Sequence, residues 1–172
     1  MFESGLDEAD RLLLDALQRN GRSTFAELAA VVGLRPPAVH ERVKRLEARG
    51  YITGYAARVD ARTLGLELAS FVSAFTGADV EYDAFAAAVS AMPEVVEIHS
   101  VAGEESFLLK VLTQSTAHLD DFLSRLKTVP GIARTKTTIV LSTPFERGGI
   151  ALDAMAFDAE EHHARNGRAR AS

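Results

Sequence analysis

The segment that most constrains the fold lies at residues 25–46 and reads FAELAAVVGLRPPAVHERVKRL. A small residue, Ala29, precedes Gly33 by four positions, and Val39 follows six positions later. Two helices that cross at a sharp angle need a small residue where they approach and a glycine that can take positive φ in the turn. They also need a β-branched residue that packs the second helix onto the first. The spacing predicts a helix-turn-helix, with an ordinary three-helix unit and a solvated charged face as the alternative.

Start signals place three helices in this region. Asp7 can cap a first helix predicted over residues 7–18, and Thr24 with Glu27 forms a capping box for a second. The third helix begins with two prolines, which suit a first turn because no intrahelical N–H is needed there. Its apolar residues recur at i, i+4 and i+7, so one side of it should be buried. These inward-facing residues are Val39, Val43 and Leu46.

The segment after the third helix, YITGY at residues 51–55, places β-favouring residues around a glycine. This pattern is typical of a short hairpin, which would act as a wing beside the third helix. We therefore predict a winged helix-turn-helix domain over residues 1–59, followed by a linker at 60–66.

Charge is unevenly distributed along the chain, whose net charge is −5. Residues 1–60 balance nine basic against nine acidic side chains, while residues 35–58 hold six basic and two acidic ones. Residues 61–172 hold ten basic and fifteen acidic side chains and account for the whole deficit. Because exposed charges are screened beyond about 10 Å, a basic patch on a neutral domain can still attract a duplex.

The outward side of the third helix is the predicted DNA-binding face, with Lys44 and Arg45 exposed beside Arg42 and Arg49. Arg45 is expected to contact the phosphate backbone.

Other candidates lie at the helix starts and along the third helix. Arg22 and Ser23 precede the second helix, whose first N–H groups can bind phosphate. Arg35 begins the third helix and is expected to reach phosphate or a guanine edge. The candidates for base-edge contact are Pro37, His40, Glu41 and Lys44. The full predicted DNA-binding set is Arg22, Ser23, Arg35, Pro37, His40, Glu41, Lys44 and Arg45.

From residue 67 the pattern changes to strand, helix, strand, strand, helix, strand. Met92-Pro93 and Val129-Pro130 each end a predicted helix and precede a strand, 37 residues apart, which indicates a weak duplication. Two such β-α-β units predict a ferredoxin-like βαββαβ domain over residues 67–145, with two helices on one sheet face. The fold class is therefore α+β. The predicted strands span 67–76, 95–101, 107–112 and 132–141, and the predicted helices span 82–92 and 117–129.

One face of this predicted sheet has no helical cover. A sheet face built from strands rich in Val, Ile, Leu and Phe should not be exposed to solvent. Sheet-on-sheet dimerisation is the simplest way to cover it. Residues 146–172 are expected to form a C-terminal extension that is mobile at its end.

Composition excludes several classes of function. The chain has no cysteine, which removes disulfides, thiolate zinc sites and cysteine nucleophiles. The beginning, MFESGLDEAD, lacks an apolar signal core, and no apolar run is long enough to span a bilayer. We therefore expect a cytoplasmic protein with no membrane partner.

Catalytic and metal sites are not expected either. His162-His163 lacks a third ligand at useful spacing, so we predict a solvated pair and no metal. No nucleophile–base arrangement, phosphate loop or acid/base carboxylate pair is recognisable. We expect no enzymatic activity and no cofactor.

Several segments in the right order together resemble the Lrp/AsnC family of bacterial and archaeal transcriptional regulators, over about residues 6–145. The resemblance implies a sequence-specific DNA-binding regulator that dimerises through its C-terminal sheets and often assembles further into a tetramer of dimers. It also implies a small effector, typically an amino acid, bound in the C-terminal domain near contacts between dimers. The segments are LAAVVGL, VHERVKRLEARGYITGYAARVD, Leu64-Gly65, SVAGEESFLLKV and VPGIARTKTTIVL.

The loop between the two central strands departs from the pattern of this family. Members commonly have Gly-x-x-Asp, whereas this chain has Ser106 in place of the aspartate. A carboxylate could pair with an effector ammonium group, while a serine hydroxyl can only hydrogen-bond to it. A tight solvated hairpin, with threonines chosen for β-propensity, is the alternative. The candidate effector-binding residues are Gly103, Glu104, Glu105, Ser106, Thr135 and Thr137.

Two other functions are compatible with this architecture. Siroheme decarboxylase subunits are similar in organisation, but residues 64–145 carry five basic and ten acidic side chains, a balance that opposes a polycarboxylate tetrapyrrole. A small-molecule sensor without DNA binding is the other, and the cationic third helix argues against it.

Overall fold

The computed structural model describes residues 5–77 and 80–152, and within them the chain forms two compact units. The first contains the chain up to Ala57 together with the segment that begins at Phe145. The second is Arg58–Pro144. The sequence did not predict that the chain after the sheet would belong to the helical unit. The far end of the predicted extension lies outside the described residues.

The first unit contains three helices, and their predicted caps are confirmed. The Asp7 carboxylate accepts a hydrogen bond from the Asp10 N–H at 2.8 Å, and Thr24 and Glu27 form the reciprocal capping box. Gly33 ends the second helix at φ +65°, a left-handed conformation in which a residue with a side chain would be strained. The helices are α1 (Glu8–Arg19), α2 (Phe25–Val32) and α3 (Pro36–Ala48).

The core of this unit lies where the three helices meet. Val39, Val43 and Leu46 of α3 are buried as predicted, and they pack with Leu13 of α1 and Leu28 of α2. This side of α3 therefore faces the other helices, which leaves its opposite side to solvent.

The predicted hairpin wing at residues 51–55 is wrong, because this segment contains no strand. The Tyr51 and Ile52 N–H groups instead donate to the Leu46 carbonyl, at 2.9 and 3.3 Å, which folds the chain back over the end of α3. Both side chains then pack against the helical core. The alternating apolar residues fit this packing as well as they fit a hairpin, so their pattern alone was not decisive.

The second unit has the predicted ferredoxin-like topology. Its four strands form one antiparallel sheet in the order β2-β3-β1-β4. The linker at 60–66 forms a turn in which the Leu66 N–H donates to the Ala61 carbonyl at 2.9 Å. The elements are β1 (Leu68–Thr76), α4 (Tyr82–Ser90), β2 (Val95–Ser100), β3 (Phe107–Thr113), α5 (Thr116–Leu126) and β4 (Ile132–Ile139).

Both helices of this unit pack on one face of the sheet. Phe85 of α4 stacks on Phe107 with ring centroids 4.3 Å apart, and Phe122 of α5 is fully buried in the same cluster. Because successive strand residues alternate between faces, Phe71 and Phe75 lie on the other face, where Phe71 is 37% exposed. The described helices therefore leave one sheet face with aromatic residues uncovered.

A buried carboxylate joins α5 to the turn before β2. Glu94 is 7% exposed and accepts hydrogen bonds from His118, at 2.9 Å, and from Arg125. Burial is the largest single influence on its pKa and acts to raise it. The bonds from His118 and Arg125, with a backbone hydrogen bond, outweigh burial and hold the Glu94 pKa below its ordinary value.

We expect Glu94→Gln to lower the stability of the sheet unit at pH 7 by about 1–2 kcal/mol, because the bonds to His118 and Arg125 lose their charge. The folded-state pKa of Glu94 is lowered, so its contribution is present above the unfolded-state pKa and lost as pH falls through the folded one. The difference between variant and wild type should therefore shrink between about pH 5 and 3. Urea unfolding across this range, with Glu67→Gln as the control, checks the prediction. A constant difference would contradict it.

Candidate nucleic-acid interface and effector region

The side of α3 opposite the core is exposed along its whole length. The six predicted DNA-contacting residues on and next to α3 all lie there and are exposed, from Arg35 just before the helix to Arg45 in its last turn. Cationic side chains and one histidine thus share an accessible helical surface with small or acidic residues, which fits contact with phosphates and base edges. The six residues are Arg35, Pro37, His40, Glu41, Lys44 and Arg45.

Arg42 does not belong to this exposed row, contrary to the expectation from sequence. Its Nη1 atom lies 2.6 Å from Asp7 Oδ2 and 2.8 Å from Asp10 Oδ1, and its side chain is only 25% exposed. The helix turns it toward the start of α1, where two carboxylates can neutralise it. Hydrogen bonds to Asp7 and then Asp10 raise the Arg42 pKa despite partial burial.

Asp10 also holds Arg45. The Arg45 Nη2 atom lies 3.2 Å from each Asp10 oxygen, while its side chain stays 48% exposed. Asp10 itself is 2% exposed, so a buried carboxylate on α1 holds two guanidinium groups of α3. Arg45 is thereby oriented by Asp10 and still accessible to a phosphate.

A cleft of about 290 Å³ opens on this unit and brings three predicted residues together: Ser23, His40 and Lys44. The His40 ring meets the Phe25 ring edge-on, with centroids 5.0 Å apart and an interplanar angle of 86°. His40 is therefore oriented by an aromatic neighbour at the start of α2.

Tyr55 lines the same cleft and was missed by the sequence analysis. Its hydroxyl donates to Glu47 Oε1 at 2.9 Å. Burial, followed by the hydrogen bond to Glu47, raises the Tyr55 pKa to about 12. The ring lies where Gly21 has no side chain, since a Cβ there would approach Tyr55 Cδ1 to 3.3 Å. This contact fixes the segment after α3 beside the turn before α2.

That turn contains the remaining two predicted DNA-binding residues. The Arg22 N–H donates to Asn20 Oδ1 at 3.1 Å, and the Ser23 N–H donates to the Asn20 carbonyl at 3.1 Å. Arg22 is exposed and Ser23 half-buried, immediately before the capped start of α2.

In the second unit, the loop residue Ser106 is held by β1. Its hydroxyl accepts hydrogen bonds from Thr76 Oγ1 at 2.8 Å and from the Thr76 N–H at 3.3 Å. Glu104 is exposed and Glu105 half-buried, with Glu105 Oε2 3.7 Å from the position of a Cβ at Gly103. Ser106 thus fixes the loop end to the sheet, and the two glutamates supply its negative charge.

The two predicted threonines share one face of β4, as expected. Thr135 pairs with Ala74, and Thr137 pairs with Val72. Ala74 and Val72 are buried on the side of the sheet that the helices cover. Thr135 also lines a cleft of about 430 Å³ with Lys127. The loop residues 103–106 do not line this cleft, so it does not join the loop to Thr135.

The search for metal sites and membrane-spanning helices covers residues 5–77 and 80–152. There, no group of three His, Asp or Glu side chains is placed to hold a metal ion. Nor does any helix in those ranges combine the length and apolar character needed to cross a bilayer. His162-His163 lies outside the described residues.

Comparison with known proteins agrees with the fold. The chain matches the AsnC-type helix-turn-helix domain over residues 6–47 and the Lrp/AsnC ligand binding domain over residues 71–150. The chain belongs to the Lrp/AsnC family and is a helix-turn-helix transcriptional regulator.

Three relatives illustrate this membership. The transcriptional regulator LrpA of Mycobacterium tuberculosis is 41% identical over 142 residues, which are 83% of this chain and 94% of that protein. The structure of Escherichia coli AsnC has a TM-score of 0.77 and 31% identity, covering 83% of this chain and 97% of AsnC. The regulator NMB0573 of Neisseria meningitidis, solved with L-methionine, has a TM-score of 0.81 and 29% identity, covering 87% and 98%.

Proposed function

We propose that this regulator binds DNA as a homodimer, with one α3 from each protomer in successive major grooves of a roughly palindromic site. The single observation that carries the proposal is the exposed row on α3, in which Lys44 and Arg45 stand beside Pro37, His40 and Glu41. Arg45, at the end of this helix, binds phosphate and fixes the register, while Lys44 and the residues before it approach base edges. We propose that the protein is cytoplasmic, because its DNA target lies in that compartment.

The uncovered face of the sheet supports the dimer. Phe71 and Phe75 of β1 both lie on this face. The guanidinium carbon of Arg134 stands 3.7 Å from the centroid of the Phe75 ring. A second copy of the same face would bury these aromatic residues and give the two-fold axis that a palindromic site needs. A tetramer of dimers is the further assembly that we propose.

The effector that we propose is an amino acid bound by the second unit. A related regulator was solved with L-methionine. Glu104 and Glu105 supply charge for an ammonium group, while Thr135 and Thr137 supply hydroxyls. Because the loop with Glu104 and Glu105 does not line the cleft at Thr135, we place the site at a contact between chains. The effector changes DNA occupancy by binding one assembly more tightly than another.

We expect Gly103→Asp to abolish the amino-acid response and to leave the dimer intact. The new carboxylate would stand close to Glu105, whose Oε2 lies 3.7 Å from a Cβ at this position, and would repel the carboxylate of an amino acid. A thermal-shift screen of the amino acids, read with the mass in solution, measures both properties. Gly103→Ala is the control, since its methyl group fits at ordinary contact distance. An intact response in Gly103→Asp would place the effector elsewhere, and a flat screen of the wild type would contradict an amino-acid effector.

An enzyme of the siroheme decarboxylase type is the alternative from another class. The acidic excess of residues 64–145 argues against binding a polycarboxylate, so we propose no catalytic activity and no cofactor. Turnover of a tetrapyrrole by the purified protein would reverse this assignment.

A further inference from the structure

The chain after the sheet returns to α1 through a pair of hydrogen bonds. The Ile150 N–H donates to Gln18 Oε1 at 2.6 Å, and Gln18 Nε2 donates to the Ile150 carbonyl at 3.2 Å. A primary amide can pair with a peptide group in this way because it offers one donor and one acceptor side by side. Gln18 therefore binds both backbone polar groups of residue 150, 132 residues away in sequence.

Two neighbours make this contact specific to the segment. A Cβ on Gly149 would lie 2.6 Å from Gln18 Oε1 and 3.2 Å from Gln18 Cβ, so only glycine allows the amide to approach this closely. Leu152 packs against the apolar cluster of the helical unit. The contact thus combines a backbone pair, a glycine and an apolar side chain within residues 149–152.

We infer that the C-terminal end of α1 is a docking surface for residues 145–152 of the same chain, and that the docked segment regulates the DNA-binding helix. This inference rests on the proposed function. The segment begins six residues after the end of β4, the strand with the candidate effector residues Thr135 and Thr137. At its other end, the segment is bound by the helix that carries Asp10.

The connection through α1 is short and made of defined contacts. Gln18 and Asp10 lie eight residues apart on one helix, about 12 Å along its axis. Asp10 binds Arg42 and Arg45 of α3. A helix transmits displacement along its axis as a rigid element, so docking at Gln18 and DNA contact at Arg45 are expected to stabilise each other.

The first test measures hydrogen exchange of the Ile150 amide in the full chain. In Gln18→Ala this amide has no acceptor, and we expect it to exchange at least about tenfold faster than in the wild type. Alanine favours a helix more than glutamine does, so a decrease in protection cannot arise from weaker helix propensity. Gln114→Ala, at the other glutamine of the chain, is the matched control and should leave the Ile150 amide unchanged. Equal exchange rates in Gln18→Ala and wild type would overturn the inference.

The second test measures duplex affinity, using the sheared DNA of a bacterial genome as the probe. We expect Gln18→Ala and Gly149→Ala each to lower affinity by roughly three- to tenfold, because undocking loosens α1. Agreement of the two variants supports docking as the cause, since Gly149→Ala changes no side chain of α1. Faster Ile150 exchange with unchanged affinity would overturn the regulatory role. If the wild type bound no duplex at all, the proposed function would fail. The exchange of the Ile150 amide would still test whether residues 145–152 dock on α1.

Discussion

Exchanging both Lys44 and Arg45 for alanine is expected to weaken duplex binding by roughly ten- to a hundredfold near physiological salt, on all sequences alike. Both side chains are exposed at the end of α3, and their positive charges attract the duplex whatever its sequence. Each phosphate that a cation neutralises releases a counterion. The slope of log affinity against log salt should therefore flatten by about one for each phosphate that the variant no longer neutralises. Fluorescence anisotropy with a labelled duplex at several salt concentrations measures affinity and slope together.

The control for this variant removes the same charge elsewhere. Arg62→Ala with Lys127→Ala changes the net charge equally, but both residues lie in the second unit. A general effect of net charge would act on both double variants, whereas a local interaction with phosphate acts only on the first. Unchanged affinity and slope in the Lys44 and Arg45 variant would refute the assignment of these residues to DNA.

Replacing Asp10 by asparagine should destabilise the helical unit by about 2–3 kcal/mol, because two charge-assisted hydrogen-bond partners lose their carboxylate. Asp10 is 2% exposed and binds both Arg42 and Arg45, so water cannot readily replace what the substitution removes. Arg45 also loses its orientation, and duplex affinity is expected to fall with stability. Hydrogen exchange of the α1 and α3 amides reports the stability of this unit separately from the sheet.

Asp15→Asn is the matched control on the same helix. Asp15 pairs with Arg19 at the surface, where the side chains are 39% and 69% exposed, and such pairs contribute only about 0–1 kcal/mol. We therefore predict a large effect at Asp10 and a small one at Asp15. Equal effects at the two positions would show that the buried network does not hold α3.

The local signals in the sequence were sufficient for most of the fold. Capping at Thr24, the turn at Gly33 and the inward row beginning at Val39 each depend on neighbours within one or two helical turns. The ferredoxin-like topology followed from the repeated strand–helix–strand pattern. These features are predictable because the backbone satisfies its own hydrogen bonds locally or by strand pairing.

The contacts that orient the sites were not predictable in the same way. Helical geometry placed Arg42 at the surface, but Asp7 and Asp10 on another helix turn it inward. Ser106 was predicted as an effector ligand, and the sequence did not indicate that its hydroxyl also accepts a hydrogen bond from Thr76 on the neighbouring strand. Such pairs join residues that are far apart in the chain, and no periodic pattern in the sequence indicates them.

The position of residues 145–152 was likewise not predictable from the sequence. The sequence predicted only that residues 146–172 form a C-terminal extension, because this part of the chain follows the last predicted strand and shows no helix or strand pattern of its own. The position of residues 145–152 depends on hydrogen bonds to Gln18, near the opposite end of the chain, and on packing of Leu152 against the helical core. A tertiary contact of this kind is visible only once the fold has placed both partners.

Selection of binding sites from a pool of random duplexes, using the full chain, tests the central claim most directly. A dimer that presents two α3 helices should enrich a two-fold symmetric sequence whose half-sites lie about one helical turn apart. The Lys44 and Arg45 variant should fail to enrich it under the same salt conditions. Enrichment of no sequence, or of a single half-site without its symmetry mate, would contradict the account of this protein as a dimeric reader of palindromic DNA.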